Sequence, residues 1–131
     1  MENLPKDLYA FPLSFAQQRL WYLQQLDPAS TAYNMHWAYR LKGSLNVAAL
    51  EQGLNSLVRR HEILRTTFPL HDGEPVQRVH PALAVSLSMT DLLPEEQGRE
   101  EMLHRLLHEG ARRSFELDRG PLIRAGLIRT R

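Results

Sequence analysis

Arg60-His61-Glu62-Ile63-Leu64-Arg65-Thr66-Thr67-Phe68 is the stretch on which the fold of this chain turns. Read forward from Asn46, it is the end of a helix passing directly into a strand. Val47, Leu50, Leu54, Leu57 and Val58 follow helical spacing, and Asn46 is suited to cap them. Ile63–Phe68 then reads as a strand. His61, Glu62 and Arg65 crowd the junction, where polar groups are costly to bury unless they pair.

Downstream, His71-Asp72-Gly73-Glu74 supplies a turn to a strand around Val76–Val79, which makes a hairpin. Val85, Leu87 and Met89 suggest another short strand. A long helix is expected from about Pro94 to Ser114, since proline is tolerated in a first turn. Its core stripe is Met102, Leu103, Leu106, Leu107 and Ala111. A final strand fits Leu122–Ile128. Upstream, Met35, Trp37, Tyr39 and Leu41 alternate with His36, Ala38 and Arg40, the pattern of a half-buried strand that Lys42-Gly43-Ser44 ends. Pro12 and Ser14 open the first helix, with Ser14 as N-cap and an end near Asp27-Pro28. On this helix Ala16, Leu20 and Leu23 share one side, and Phe15, Tyr22 and Leu26 form a neighbouring stripe. Arg19 falls inside that apolar arc, so it is expected to be buried and paired or to snorkel out along its stem. The whole reads as an α/β (α+β) sandwich without linker, repeat or low-complexity segment.

Bulk properties narrow the function classes. A chain of 131 residues suits one domain, burying roughly 65–70% of its unfolded surface. The formal charge of +1 gives no electrostatic case for binding nucleic acid or a membrane. With no cysteine there is no disulfide, thiolate nucleophile or Cys-based zinc site. Met1–Asp7 lacks the basic-then-apolar profile of a signal peptide, and no apolar run approaches the ~20 residues of a membrane span. A cytoplasmic protein is the expectation.

The sequence resembles a known family at three places. Ser14-Phe15-Ala16-Gln17-Gln18-Arg19-Leu20-Trp21-Tyr22-Leu23 is similar to SxAQxR(L/M)(W/Y)xL, the opening motif of nonribosomal peptide synthetase condensation domains. Arg60–Phe68 resembles the second motif, RHExLRTxF. Phe115–Ala125 resembles F-[DE]-L-x-x-G-P-L-[LI]-R-A, which leads into the strand before the catalytic motif. The resemblance implies the N-terminal lobe of a chloramphenicol-acetyltransferase-like fold, in which two lobes form a V around a tunnel. It implies amide formation between substrates held on the phosphopantetheine arms of donor and acceptor carrier proteins. No cofactor is expected on this chain itself. The catalytic motif HHxxxDG is absent, since no His-His pair occurs in the sequence. Residues 1–131 are therefore expected to be a partial domain, inactive alone, whose partners include its own C-terminal lobe.

Carried onto this chain, Ser14, Gln17, Arg19, Trp21, Arg60, His61, Glu62 and Arg65 are expected to be supporting residues, with no catalytic residue among them. The match at Arg19 favours a buried structural pair. Arg65 is the one expected to contribute most, by pairing with acidic groups and fixing the catalytic loop; the alternative is an ordinary cross-strand ion pair of about 0–1 kcal/mol. The resemblance places the end of the first helix beside the acceptor carrier protein, so Tyr22 and Leu26 are either a carrier contact or core packing.

Other readings stay in view. His61-Glu62 is no zinc-protease HExxH, because Arg65 stands where the second histidine belongs. His104 and His108 are spaced for a metal on a helix face but lack an evident third ligand, so no metal is expected. A non-catalytic half-domain that docks a carrier protein or a partner lobe is the principal alternative. An acyltransferase using free coenzyme A predicts looser motif matches. Met1–Ala10 is either a short docking element or a plain terminus, and the exposed sheet edge beside the last strand invites self-association.

Overall fold

The computed structural model describes residues 9–92 and 98–130. Strand β1 (Tyr9–Pro12) leads to helix α1 (Phe15–Leu26). Ser14 is extended at φ −66°, ψ 161° and caps α1. Its hydroxyl accepts from the Gln17 N–H at 3.2 Å, and the Gln17 side-chain oxygen accepts from the Ser14 N–H at 2.8 Å. This reciprocal pair satisfies two N–H groups that a helix start otherwise leaves free.

Helix α2 (Val47–Arg60) starts on the Asn46 side chain, which accepts from the Ala49 N–H at 2.9 Å. Arg59 and Arg60 lie in its last turn, where cations offset the helix dipole. His61 ends α2, and Glu62–Arg65 form a 3-10 turn before strand β2 (Thr66–Thr67). Strand β3 (Leu70–His71) turns into β4 (Glu74–Val79) through Asp72 and Gly73, whose φ of 50° and 83° suit a two-residue hairpin. The sheet order is β1-β4-β2, with β3 also on β4, all antiparallel.

A second, parallel pair joins β5 (Leu87–Asp91) to β6 (Ala125–Arg129), with helix α3 (Arg99–Ala111) between them in sequence. Helix α2 ties itself to the start of β5. The Asn55 amide takes the Val85 N–H at 2.9 Å and donates to the Val85 carbonyl at 2.8 Å. Glu51 accepts from the Leu87 N–H at 2.8 Å. Among the described residues, Leu13, Trp21, Val58, Val79 and Val85 are buried apolar side chains, joined by Pro69 and by buried Thr66 and Thr67. No helix among the described residues is long and apolar enough to cross a membrane.

Four expectations change. Residues 35–41 form no strand: they make no ladder with another segment, and Met35, Trp37, Tyr39 and Leu41 are all exposed. Alternation prescribes which face a strand would bury, but its N–H and C=O groups need a neighbour, and none among the described residues stands there. The strand expected over Ile63–Phe68 shrinks to β2, because Glu62–Arg65 wind tightly: Leu64 N–H bonds the His61 carbonyl at 3.0 Å and the Thr66 hydroxyl the Glu62 carbonyl at 2.8 Å. Tyr9 and Ala10, the end of the stretch read as either a docking element or a plain terminus, belong instead to β1 and pair with β4. In α3 the expected core residues are at most partly buried; its expected start at Pro94 lies outside the described residues.

Candidate functional site

The three sequence motifs meet at Thr67-Phe68. Phe68 N–H donates to the Leu117 carbonyl at 2.7 Å, and its own carbonyl accepts the Trp21 indole N–H at 2.9 Å. One residue of the second motif is thereby bonded to the first helix and to the Phe115–Ala125 segment. Thr67 is fully buried, with Gly120 against it; a Cβ on Gly120 would stand 2.8 Å from the Thr67 methyl. At φ +63° that position also disfavours any side chain. The close approach therefore calls for glycine.

Arg65 and His80 face each other across the same hairpin. His80 N–H donates to the Arg65 carbonyl at 3.0 Å, and Arg65 Nη1 donates to the His80 carbonyl. Thr67 Oγ1 is 2.8 Å from His80 Nε2. Arg65 Nη2 reaches Glu62 at 3.4 Å, but Glu62 is exposed, so that pair contributes little. Burial, and then the Arg78 charge, hold the His80 imidazole below its ordinary pKa. The folded chain thus binds this proton more weakly than the unfolded chain. Stability from this group is intact above the ordinary imidazole value of about 6.5 and is lost as pH falls through the lowered one. Urea midpoints measured from pH 7.5 down to 5.5 are expected to fall less steeply in His80→Gln than in the parent; identical slopes would remove His80 from the account.

The Phe115–Ala125 segment is anchored from three sides. Gln24 of α1 donates to the Phe115 carbonyl at 3.1 Å. The Asn34 amide donates to the Arg113 carbonyl at 3.1 Å. Arg124 lies 3.6 Å over the Phe115 ring and donates to the Arg113 and Ser114 carbonyls. A cleft of about 460 Å³ opens beside this knot, lined by Trp21, Gln24, Pro28, Phe68, Phe115 and Leu117 among others.

Of the residues singled out in sequence, Ser14 and Gln17 form the cap of α1, and Gln17 also donates to Gln77 at 3.0 Å. Trp21 and Arg65 bind the hairpin, and Glu62 touches Arg65. Arg60 and His61 are exposed at the end of α2. Arg19 is exposed as well, with no hydrogen bond or ion pair among the described residues, so the expected buried pair is not formed. It shares its helix face with Phe15, Tyr22 and Leu26, which are 91%, 54% and 84% exposed; no described element covers that face. His104 and His108 are both exposed, and no three potential metal ligands come together among the described residues.

Sequence reasoning missed His80 and Arg78, and it matched Gly120 to the third motif without assigning it a role. A signal for the first two was present. Counting outward from the Asp72-Gly73 turn pairs 71 with 74, 70 with 75, 67 with 78 and 66 with 79, and the next step brings Arg65 opposite His80.

The condensation domain family model matches residues 9–131. The chain belongs to that family. One of the linear gramicidin synthase proteins of Brevibacillus parabrevis is 51% identical over 126 residues, 95% of this chain but 2% of the relative. Phosphinothricin tripeptide synthetase PhsC of Streptomyces viridochromogenes is 43% identical over 129 residues, 97% of this chain and 12% of the relative. The crystal structure of the starter condensation domain of rhizomide synthetase RzmA superposes with a TM-score of 0.77 at 23% identity, covering 92% of this chain and 29% of that one. A four-domain nonribosomal peptide synthetase bound to AMP and glycine gives 0.75 at 23% identity, covering 97% and 10%. The fold is therefore that of condensation domains, the chloramphenicol-acetyltransferase-like α/β architecture, and this condensation-domain chain spans a small part of each relative.

Proposed function

We propose that this chain supplies the N-terminal lobe of a condensation domain that joins carrier-protein-bound acyl or aminoacyl thioesters through an amide bond in nonribosomal peptide synthesis. The observation that carries the reading is the convergence of all three family motifs on Thr67-Phe68 in a chain matched by the family model over residues 9–131. In this reading the lobe is scaffold. It holds one side of a tunnel in which two phosphopantetheine arms meet end to end, so that proximity supplies much of the rate. The catalytic histidine comes from an HHxxxDG segment beyond Arg131, and Arg65 steadies that segment through an acidic group. The setting is the cytoplasm. Reading the parent frame past Arg131 tests this: an HHxxxDG shortly downstream supports the catalytic assignment, whereas a stop codon or a degenerate motif there favours a non-catalytic docking half-domain.

Tyr22 and Leu26 are proposed as part of the contact with the acceptor carrier protein. Both are exposed on α1, and an aromatic–aliphatic patch suits a transient interface. Changing both to alanine is expected to weaken carrier-protein binding at least tenfold, about 1.4 kcal/mol, while leaving the urea midpoint of the domain nearly unchanged. Unaltered affinity in the folded double variant would end this assignment.

The outer edge of β6 has no partner strand among the described residues. Strand edges of this kind pair with other chains, and the 131-residue chain is expected to self-associate as its concentration rises. Sedimentation velocity giving one monomeric species at every concentration would contradict this.

A further inference from the structure

Beyond the family motifs, the same hairpin presents a positive charge that has no counterpart among the described residues. Arg78 lies opposite Thr67 in the β2–β4 register, so the two side chains share one face of the sheet. The His80 ring joins that face through its bond to Thr67. The Nε atoms of Arg78 and Arg65 are both fully buried without a hydrogen-bond partner among the described residues. Arg65 otherwise uses its terminal nitrogens on the His80 carbonyl and on Glu62. No ion pair to Arg78 occurs among the described residues. Buried donors of a charged group are seldom left free in a finished structure.

We propose that Arg78, flanked by His80 and Arg65, is a binding site for a single carboxylate. A planar guanidinium offers two parallel N–H donors that match a carboxylate in size and geometry. The charge balance favours a monoanion. Arg65 already donates to the His80 carbonyl, whereas Arg78 has no ion pair among the described residues, and its single guanidinium fork matches one carboxylate. His80 is held below its ordinary pKa first by burial and then by the Arg78 charge, which places the Arg78 guanidinium within electrostatic reach of the imidazole. Seating a carboxylate here raises the His80 pKa, since an opposite charge within about 4–6 Å favours the protonated ring. The carboxylate has two possible sources, a protein side chain or a small acidic ligand, and the chemistry at Arg78 is the same for both. The inference is independent of the reaction assigned to the parent domain.

The test follows the His80 Hε1 and the arginine Nε–Hε resonances of the 131-residue chain. Sodium acetate is added against sodium chloride at matched ionic strength. The expected result is a saturable downfield shift of the Arg78 Nε–Hε signal and an upward move of the His80 titration midpoint, with acetate only. Both responses are lost in R78Q and kept in R59Q, which alters an exposed arginine of α2. R78K, which keeps the charge without the planar fork, is expected to retain part of the His80 response. A capped peptide, acetyl-Ala-Asp-Ala-amide, separates the sources. Saturation at tenfold lower concentration than acetate assigns the site to a protein carboxylate, and equal saturation assigns it to a free acid. Equal responses to acetate and chloride would overturn the proposal. So would an unchanged acetate response in R78Q, or tighter binding of inorganic phosphate than of acetate. The wild-type Arg78 signal alone decides the matter if R78Q fails to fold.

Discussion

Trp21→Ala is expected to destabilise the chain by about 3–5 kcal/mol, a large part of the ~5–15 kcal/mol that holds a domain of ordinary size together. Trp21 is the largest side chain in the core and the only buried residue of α1. Its truncation opens a cavity between α1 and the hairpin. It also removes the donor to the Phe68 carbonyl, leaving that group unpaired at the point where the three motifs meet. Trp21→Phe separates the two contributions. The ring remains while the indole N–H is lost, so the expected cost is about 1 kcal/mol for the hydrogen bond, plus the smaller volume. Urea denaturation of both variants measures the difference. A Trp21→Ala change below 1 kcal/mol would show that α1 is not held to the sheet through this residue.

Arg65→Ala is expected to cost about 2–3 kcal/mol, the range for a buried carbonyl losing a charged donor. The Arg65 side chain is 15% exposed, and its guanidinium bonds the His80 carbonyl while the backbone of the same residue accepts from His80 N–H. Glu62→Gln is expected to cost less than about 0.5 kcal/mol, because the Glu62–Arg65 pair faces water. A double-mutant cycle over the two positions therefore returns a small coupling. If Glu62→Gln matched Arg65→Ala, the ion pair rather than the His80 carbonyl would be the reason for this arginine.

The parts of the fold that were legible in sequence are those fixed by local chemistry. Ser14 with Gln17, and Asn46, mark helix starts whose caps need only nearby N–H groups. Asp72-Gly73 marks a hairpin because both residues must take positive φ. The strand pattern over 35–41 failed for a non-local reason, since alternation cannot supply a ladder partner. β1 is hidden in the sequence because Pro12 and Ser14 read together as the opening of the first helix; at the end of an edge strand the missing N–H of Pro12 costs nothing. Arg19 was misjudged because an apolar arc on a helix need not be the face that packs. In α1 the contacts to the sheet are made by Gln17 and Trp21, and the Phe15–Arg19–Tyr22–Leu26 stripe stays outside.

For the candidate site, the motifs located the residues but not their partners. Arg65 was singled out, yet His80, Arg78 and Gly120 became visible only when the hairpin register and the return of residues 117–120 were in place. Arg78 and His80 lie across a hairpin from Thr67, 13 positions away for His80, and Gly120 returns to Thr67 from the far end of the chain. The Asp72-Gly73 turn carries the register that reaches Arg78 and His80, but no local pattern reaches from Thr67 to Gly120.

The measurement that bears most directly on the central claim is amide formation from donor and acceptor thioesters loaded on their carrier proteins. It is run with the 131-residue chain and with the same chain extended through the parent frame. Product from the extended protein alone, reduced when Trp21→Ala loosens α1 from the hairpin, is the result predicted for a lobe that supports chemistry supplied from beyond Arg131. Product from the 131-residue chain by itself, or none from a folded extended protein, would contradict it.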